Sequence, residues 1–318
     1  MDTLLLSYED VDKLCDLDEI YKAVEQGFAH MCLGKVSQPP ILNLHEADGK
    51  FISDIKCAAD SESGYYAMKT SGTKNMVYIY ELGTDELLCA MYGDHVRNLR
   101  TAAGAAVANN YLARKDAKSY FAYGTGRIGK AAFRATMRVR PGITDCYAFG
   151  WLDGENEAFI KEMQPEFPQV TFHSCATPEE GARQADIIVS VTLAKKGPVI
   201  MREFLKPGTH VTAIGTDNPT KQELDAKCFQ GTKVVNDGIE FASANGDTFH
   251  AIQEGYIKKE DIHAEIGEII LGRKPGREND EEITIYDTVG MGVMDLGMGL
   301  AVYKKAVEMG LGQKFAFH

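Results

Sequence analysis

The chain has 318 residues, of which 44% are hydrophobic and 25% charged, which is typical of a globular protein large enough for two domains. Its net charge is −12 and it has no basic block, so nucleic acid and anionic membrane surfaces are not expected as partners. The seven cysteines are scattered without a C-x-x-C pair, and no apolar stretch is long enough to span a bilayer. These features predict a cytoplasmic protein with reduced thiols and no metal site.

The first part of the chain predicts an α+β domain. A short helix capped by Ser7 and an amphipathic helix over 17–31 precede a run of β-like segments. These segments cover 51–56, 65–70, 76–81 and 86–92, with a further strand predicted at 4–6. Strands that follow one another across short turns favour a mostly antiparallel sheet. An alanine-rich helix over 100–113 then leads into the second part.

From Lys118 onward, apolar strands alternate with helices. The predicted strands are 119–123, 143–149, 170–174, 187–192, 210–214, 233–236 and 283–286, and the predicted helices are 127–139, 156–163 and 178–184. This alternation is typical of a doubly wound parallel sheet. A last helix over 291–309 is rich in Met and Gly and is expected to pack in the core of the first domain or against another subunit. The predicted domains are 113–290, and 1–112 together with 291–318.

The segment SYFAYGTGRIGKAA, residues 119–132, reads as strand, tight turn and helix. Gly124, Gly126 and Gly129 have the spacing G-x-G-x-x-G, in which the glycines allow a sharp turn, close approach of a pyrophosphate and close helix packing. The helix that follows directs free N–H groups toward the phosphates. The segment therefore predicts a Rossmann-type dinucleotide site, although a glycine-rich βα turn of another α/β fold is the alternative. The predicted cofactor-binding residues here are Gly124, Thr125, Gly126, Arg127, Ile128 and Gly129, and Arg127 either reaches a phosphate or lies in solvent.

The residue expected to bind the adenosine ribose is missing from its usual place. In dinucleotide-binding folds, an Asp or Glu at the end of the second strand accepts a hydrogen bond from the ribose. Here that strand ends in Ala148-Phe149-Gly150-Trp151, and Asp153 comes slightly late. Because no carboxylate would repel a 2′-phosphate there, the sequence leans toward NADP or toward no strong preference. The cofactor prediction is therefore NAD(P).

Two further strand ends are candidate walls of the site, since ligands of such sheets bind beyond the carboxyl ends of the strands. One strand runs into Thr192 and Leu193, and the other into Gly215 and Asp217. Asp217 would lie where the nicotinamide is expected, and partial burial there would tune it as a base for an amine or a water molecule. The alternative is that Asp217 makes an Asx turn. Lys69 lies in a strand-like run, where it either faces inward onto a carboxylate ligand or faces water.

Several segments resemble the ornithine cyclodeaminase/μ-crystallin family. They are AMKTSGTKN, NLRTAAGAAVANNYLA, AYGTGRIG, AIGTDNPTKQELD, GRKPGREND and IYDTVGMGVMD, and they occur in that family's order. The match extends over nearly the whole chain. The resemblance implies a nicotinamide cofactor, a small amino or imino acid as substrate, and a homodimer.

The resemblance also implies roles for individual residues. Lys69 would be catalytic and contact the substrate carboxylate, Arg100 would clamp that carboxylate, and Asp217 would be catalytic. Thr101, Thr192, Gly215 and Val293 would contact the cofactor, and Asp295 falls in the same closing region as Val293. Two departures stand out: Ile41 replaces a family arginine, and Arg97 stands where a small hydroxyl residue is usual. Arg97 either replaces the missing clamp, binds another anionic group, or lies at the surface.

The expected function is hydride transfer at the Cα–N bond of a small L-amino acid or cyclic imino acid. The reaction would be that of an amino-acid dehydrogenase, a ketimine reductase or an ornithine cyclodeaminase, the last being a lyase. The alternative is a catalytically silent protein that binds NAD(P)H and a small ligand.

Overall fold

The computed structural model describes residues 2–72, 74–192 and 197–317. The chain divides into two compact units, one made of Met1–Gly104 with Met291–His318 and the other of Ala105–Gly290. We call them unit 1 and unit 2. The division falls inside the helix predicted over 100–113, and it lies before the domain boundary predicted at residue 112.

Unit 1 is built on one sheet. Its strands are β1 Thr3–Leu6, β2 Val36–Ser37, β3 Leu42–His45, β4 Phe51–Asp60, β5 Tyr65–Ser71, β6 Met76–Glu81, β7 Leu87–Tyr92 and, near the end of the chain, β16 Gln313–Phe315. The order across the sheet is β16-β1-β7-β6-β5-β4-β2, with β3 also paired to β4. All pairs except β1 with β7 are antiparallel, as expected from strands joined by short turns.

Side chains of β4 to β7 alternate between a buried face and a half-exposed face, because successive residues of a strand point to opposite sides. The helices of unit 1 are α1 Tyr8–Leu14, α2 Leu17–Cys32, the start of α3 Asp94–Leu112, and α10 Gly292–Met309. Ser7 and Asp10 form a capping box at the start of α1. Helix α10 packs against α2 and against β4, β5 and β6, and it is apolar on most sides, as a helix enclosed by other elements requires.

Unit 2 contains a sheet in which every pair is parallel. Its strands are β8 Ser119–Tyr123, β9 Asp145–Phe149, β10 Thr171–Ser174, β11 Ile187–Ser190, β12 His210–Ala213, β13 Lys233–Asn236, β14 Ala264–Glu265 and β15 Thr284–Asp287. Their order is β10-β9-β8-β11-β12-β15-β13-β14. The order reverses beside β8, and this is the point at which doubly wound sheets bind ligands.

The helices of unit 2 are α4 Arg127–Val139, α5 Glu155–Glu166, α6 Pro178–Gln184, α7 Ile239–Asn245, α8 Asp247–Gln253 and α9 Ile266–Ile270, together with the end of α3. Strands β8, β11 and β12 are buried on both faces, which accounts for their continuous apolar sequence. No helix in the described ranges is both long enough and apolar enough to cross a membrane. All seven cysteines are free.

Candidate functional site

The glycine turn between β8 and α4 has the geometry of a phosphate cradle. Gly124 has a φ of +108°, and a Cβ built on it would lie 2.3 Å from the carbonyl oxygen of Val191. A Cβ on Gly129 would lie 1.8 Å from the carbonyl oxygen of Gly124, so only glycine at position 129 allows α4 to pack this close to the strand. A Cβ on Gly126 would meet nothing within 4 Å. Protein atoms therefore pack tightly against Gly124 and Gly129, whereas the space beside Gly126, the glycine that would face a pyrophosphate, is open.

Donors at this turn also fit an anionic ligand. Gly126 precedes α4 and offers no side chain to cap the helix, so the first N–H groups of α4 stay available. Thr125 is buried, and its Oγ1 has no hydrogen-bond partner among the described residues. Arg127 is exposed in the first turn of α4, and Ile128 is half-buried beside it. These residues fit a dinucleotide, and their cofactor contacts remain predictions.

The ends of β11 and β12 are tied together by a carboxylate that sequence reasoning missed. Glu223 is buried, and its carboxylate oxygens accept hydrogen bonds from the N–H of Thr192 at 2.5 Å and of Gly215 at 2.8 Å. A Cβ on Gly215 would lie 2.5 Å from the Glu223 carboxylate, so only glycine allows this approach. Burial raises the pKa of Glu223, although these N–H groups favour its ionised form. Thr192 and Gly215 are thereby brought together, whereas Leu193 lies outside the described residues.

Asp247 holds the segment that carries Glu223. Its Oδ1 accepts the N–H of Glu223 at 2.7 Å and of Leu224 at 3.0 Å, and its Oδ2 accepts the hydroxyl of Thr216 at 3.0 Å. Burial raises the pKa of the Asp247 carboxyl, and the neighbouring carboxyls of Asp287 and Glu223 raise it further. The loop after β12 is therefore fixed at both of its ends by buried acids.

Asp217 differs from its predicted state. Its side chain is 47% exposed and forms an ion pair with Lys221 at 2.7 Å, so it is more exposed than the sequence suggested, and its role as a base stays a prediction. The neighbouring Asn218 makes an Asx turn in this loop. Asn218 Oδ1 accepts both the N–H and the hydroxyl of Thr220. Polar residues on both sides of Asp217 leave it at the outside of the loop.

Unit 1 contains a buried cluster of charges on the inner face of its sheet. Lys69, only 1% exposed, points inward from β5, and its Nζ lies 3.1 Å from Asp295 Oδ2 on α10. Arg100 Nε on α3 lies 3.0 Å from Oδ1 of the same carboxylate. Lys56 is also buried, and it lies opposite Lys69 in the register of the antiparallel strands β4 and β5. We call Lys56, Lys69, Arg100 and Asp295 the unit 1 charge cluster.

The electrostatics of this cluster favour a lysine that can change its protonation state. Burial lowers the pKa of Lys69 from 10.5 to about 7; Asp295 opposes this shift, and Arg100 and Lys56 add to it. Burial alone would raise the pKa of Asp295, but Arg100 and Lys69 outweigh burial and hold it below its ordinary value. Lys69 and Arg100 thus share the Asp295 carboxylate, and Asp54 is a second acid that acts on Lys69. The inward orientation expected of Lys69 as one alternative is the one observed.

The other predicted residues of unit 1 surround this cluster on two helices. Arg97 lies one turn before Arg100, and its buried Nε has no hydrogen-bond partner among the described residues. Thr101 donates its hydroxyl to the carbonyl oxygen of Arg97 at 2.8 Å, so only its acceptor capacity remains for a cofactor. A Cβ on Gly27 of α2 would lie 3.1 Å from Cγ2 of Val293, which places that buried side chain in the packing of α10. A cofactor contact by Val293 would therefore use its backbone.

The structure adds the position of Glu223 and the ion pairs of Asp295, which the sequence analysis had placed only in a closing region. Asp295 had a detectable signal, because a lone carboxylate in the apolar stretch GVMDLGMGL must find a cationic partner if the helix is buried. Glu223 lies in the polar stretch NPTKQELD, where an acid is ordinary. Among the described residues, no group of His, Cys, Asp or Glu is arranged to hold a metal ion.

The chain matches the sequence model of the ornithine cyclodeaminase/mu-crystallin family over residues 1–310. It is 32% identical to alanine dehydrogenase of Archaeoglobus fulgidus, over the whole chain and 99% of that protein. It is 36% identical to Delta(1)-pyrroline-2-carboxylate reductase of Bacillus cereus, over 76% of this chain and 74% of that protein. The resemblance read from the sequence motifs is thereby confirmed.

Solved structures give the same answer for the fold. An archaeal alanine dehydrogenase dimer with bound NAD has a TM-score of 0.93 at 32% identity, with complete coverage of both chains. Delta(1)-pyrroline-2-carboxylate reductase of Thermococcus litoralis, in complex with NADH and L-proline, has a TM-score of 0.93 at 27% identity and covers 98% of this chain and 99% of its own. These neighbours confirm the predicted fold class and the prediction of a nicotinamide-dependent enzyme acting on amino or imino acids.

Proposed function

The chain belongs to the ornithine cyclodeaminase/mu-crystallin family, and from this premise we propose that it interconverts a small L-amino acid and its imine with a nicotinamide dinucleotide. When bound, the nicotinamide supplies or accepts the hydride at Cα. The observation that carries the proposal is the buried unit 1 charge cluster, in which Lys69 has a pKa of about 7 and shares the Asp295 carboxylate with Arg100. The glycine turn of unit 2 supplies the dinucleotide site.

Arg100 and Lys69 bind the substrate carboxylate in this proposal. A guanidinium offers several N–H donors in a fixed plane, and Asp295 occupies only its Nε. Asp295 keeps Arg100 and Lys69 near each other before substrate arrives, because both cations contact the same carboxylate. Such preorganisation fixes the orientation of the substrate at Cα.

Lys69 moves the proton that accompanies the hydride. Oxidation of an amino acid to its imine removes a hydride from Cα and a proton from nitrogen, and neutral Lys69 accepts that proton. In the direction of reduction, protonated Lys69 returns it. Asp217, with its exposed carboxylate, is proposed from the family resemblance to assist the amine or a water molecule.

Candidate substrates follow from the relatives and from the charges of unit 1. L-alanine and the cyclic imine Δ1-pyrroline-2-carboxylate are the first two, because alanine dehydrogenase and pyrroline-2-carboxylate reductases are similar over most of their length. Arg97, with its buried Nε available, favours a substrate with a second anionic group as a further candidate. NAD is the proposed cofactor, a homodimer the proposed assembly, and a cytoplasmic location fits seven free cysteines.

The test is a screen of purified protein against amino acids, cyclic imines and imino dicarboxylates, following reduced nicotinamide by absorbance and ammonia by a separate assay. We expect net hydride transfer on one of these classes, and a loss of at least about 100-fold in kcat/KM for Lys69→Gln and Arg100→Gln. Lys22→Gln, which alters an exposed lysine on α2, is the matched control and should retain full activity.

Ammonia release without net nicotinamide change would identify the cyclodeaminase reaction instead. Tight dinucleotide binding with no turnover in either assay would contradict the proposal and favour a silent binding protein. Full turnover by Lys69→Gln would contradict the role given to the unit 1 charge cluster.

A further inference from the structure

The position that normally carries the ribose-binding acid is filled from elsewhere in unit 2. Strand β9 ends at Phe149, and the next residue is Gly150, which has no side chain. A Cβ built on Gly150 would lie 2.5 Å from Oε2 of Glu155 and 2.9 Å from its Cβ. The Glu155 carboxylate therefore occupies the space that a side chain at position 150 would take.

Local structure holds Glu155 in this place. Glu155 is the first residue of α5, after Gly154 with a φ of +81°, and its Oε2 accepts the N–H of Leu152 at 3.0 Å. The N–H of Gly150 donates to Oδ1 of Asn156 at 2.7 Å. The turn between β9 and α5 is thus closed by two side chains of α5. A carboxylate has lone pairs for more than one donor, so the bond to Leu152 does not exhaust Glu155.

The same point faces the glycine turn. The Cβ built on Gly150 would also lie 2.5 Å from Oγ1 of Thr125, the buried hydroxyl that has no partner among the described residues. A carboxylate and an unsatisfied hydroxyl therefore flank one position beside the phosphate cradle. Next to it lies a depression of about 440 Å³ lined in part by Phe149, Trp151 and Cys175.

We propose that Glu155 is the acid that binds the adenosine ribose and selects NAD over NADP. A ribose 2′-hydroxyl donates a hydrogen bond to the carboxylate, whereas a 2′-phosphate at that point meets like charge. Residues 150–158 carry three acids, Asp153, Glu155 and Glu157, and no lysine or arginine. The assignment of Glu155 predicts a preference for NAD, whereas the lack of an acid at the end of β9 had favoured NADP. The inference rests on the proposed dinucleotide site.

The test is direct titration of the full-length protein with NADH and with NADPH, measured by calorimetry in the absence of substrate. We expect the wild-type protein to bind NADH at least about tenfold more tightly than NADPH. Glu155→Gln should reduce that preference by about tenfold, and Glu155→Arg should reverse it by adding a cation that suits a phosphate. Glu157→Gln removes the same charge two residues away and should leave the preference unchanged. Thermal unfolding of each variant without cofactor verifies folding.

The outcomes separate the two proposals. If the wild-type protein binds neither dinucleotide, the proposed function is wrong and this inference falls with it. If it binds NADPH as tightly as NADH, or if folded Glu155→Gln keeps the wild-type preference, Glu155 is not the selecting acid and the proposed function stands. An equal effect of Glu157→Gln would attribute the preference to general charge and would also overturn the assignment.

Discussion

If Lys69 transfers the proton as proposed, its pKa determines the pH range of the reaction. Its folded pKa of about 7 results mainly from burial, with Arg100 and Lys56 adding to the shift. We predict that kcat/KM for amino-acid oxidation rises with pH through an inflection near 7, because only neutral Lys69 can accept the proton. The dependence of kcat/KM on pH, measured with the wild-type protein, tests for this inflection. The substrate ammonium titrates at higher pH in every variant and does not obscure this inflection.

Two comparisons make the assignment specific. Lys22→Gln should keep the inflection, and Lys69→Gln should lose it along with most of the activity. An inflection near 7 that persists in Lys69→Gln would assign the titration to another group. Unfolding gives a second measure of the same pKa, since the unfolded chain holds the proton up to its ordinary value of 10.5. The free energy of unfolding of the wild-type protein should therefore rise with pH above about 7, relative to Lys69→Met.

Motifs shared with a family gave Lys69 and Arg100 their predicted roles. Composition and periodicity left Lys69 open between solvent and core, because a strand lysine has either fate. Its partner lies 226 residues away on α10, a separation that local pattern cannot reveal. The predicted role of Asp217 also comes from a family motif, but its exposure depends on how the loop folds, and the neighbouring Asn218 makes an Asx turn there.

At the scale of elements, regular patterns predicted most of the fold. The bounds of β8, α4, α6 and β13 agree with those predicted from the sequence, because the two strands are short apolar runs, α4 follows the glycine turn and α6 is capped by Thr177. The missed strands β2, β3 and β16 are short and largely exposed, so they carry no alternation and exist through pairing with a neighbour. Helices α7 and α8 were missed because each is one to two turns long and Gly246 separates them.

Strands β11 and β12 illustrate how one side chain can join two elements. Glu223 accepts hydrogen bonds from the N–H of Thr192, beyond the end of β11, and from the N–H of Gly215, beyond the end of β12. It therefore fixes the distance between these two residues. We predict that Glu223→Gln weakens dinucleotide binding by about tenfold or more, because an amide presents one acceptor and turns its NH2 group toward an N–H. Calorimetric titration with NADH, below the unfolding temperature of the variant, measures the effect.

The matched control is Glu203→Gln, an exposed acid of the same unit, which should bind NADH as the wild-type protein does. A purely structural role for Glu223 would lower thermal stability without changing the NADH affinity of the folded fraction. That result would contradict the positioning role. A change in the KM of the amino acid with no change in NADH affinity would contradict it as well.

At the scale of the whole molecule, the sheet of unit 1 has a face that its own helices leave uncovered. Half-exposed apolar side chains lie side by side there, since Met68 pairs with Cys57 on β4 and with Tyr78 on β6. Tyr66 and Tyr80 stack on the same face with ring centroids 4.6 Å apart. Contiguous apolar surface of this kind is typical of a subunit interface. A similar archaeal alanine dehydrogenase is a dimer.

We predict that the protein is a homodimer joined through this face and that Met68→Lys converts it to a monomer. The substituted ammonium would be buried between apolar side chains without a partner, which costs several kcal/mol, enough to shift a dimer to monomer at micromolar concentration. Light scattering coupled to size exclusion, over a dilution series, measures the mass. Val307→Lys changes an exposed apolar residue on α10 and should leave the dimer intact. A monomeric wild-type protein, or a dimeric Met68→Lys variant that is folded by circular dichroism, would place the interface elsewhere or remove it.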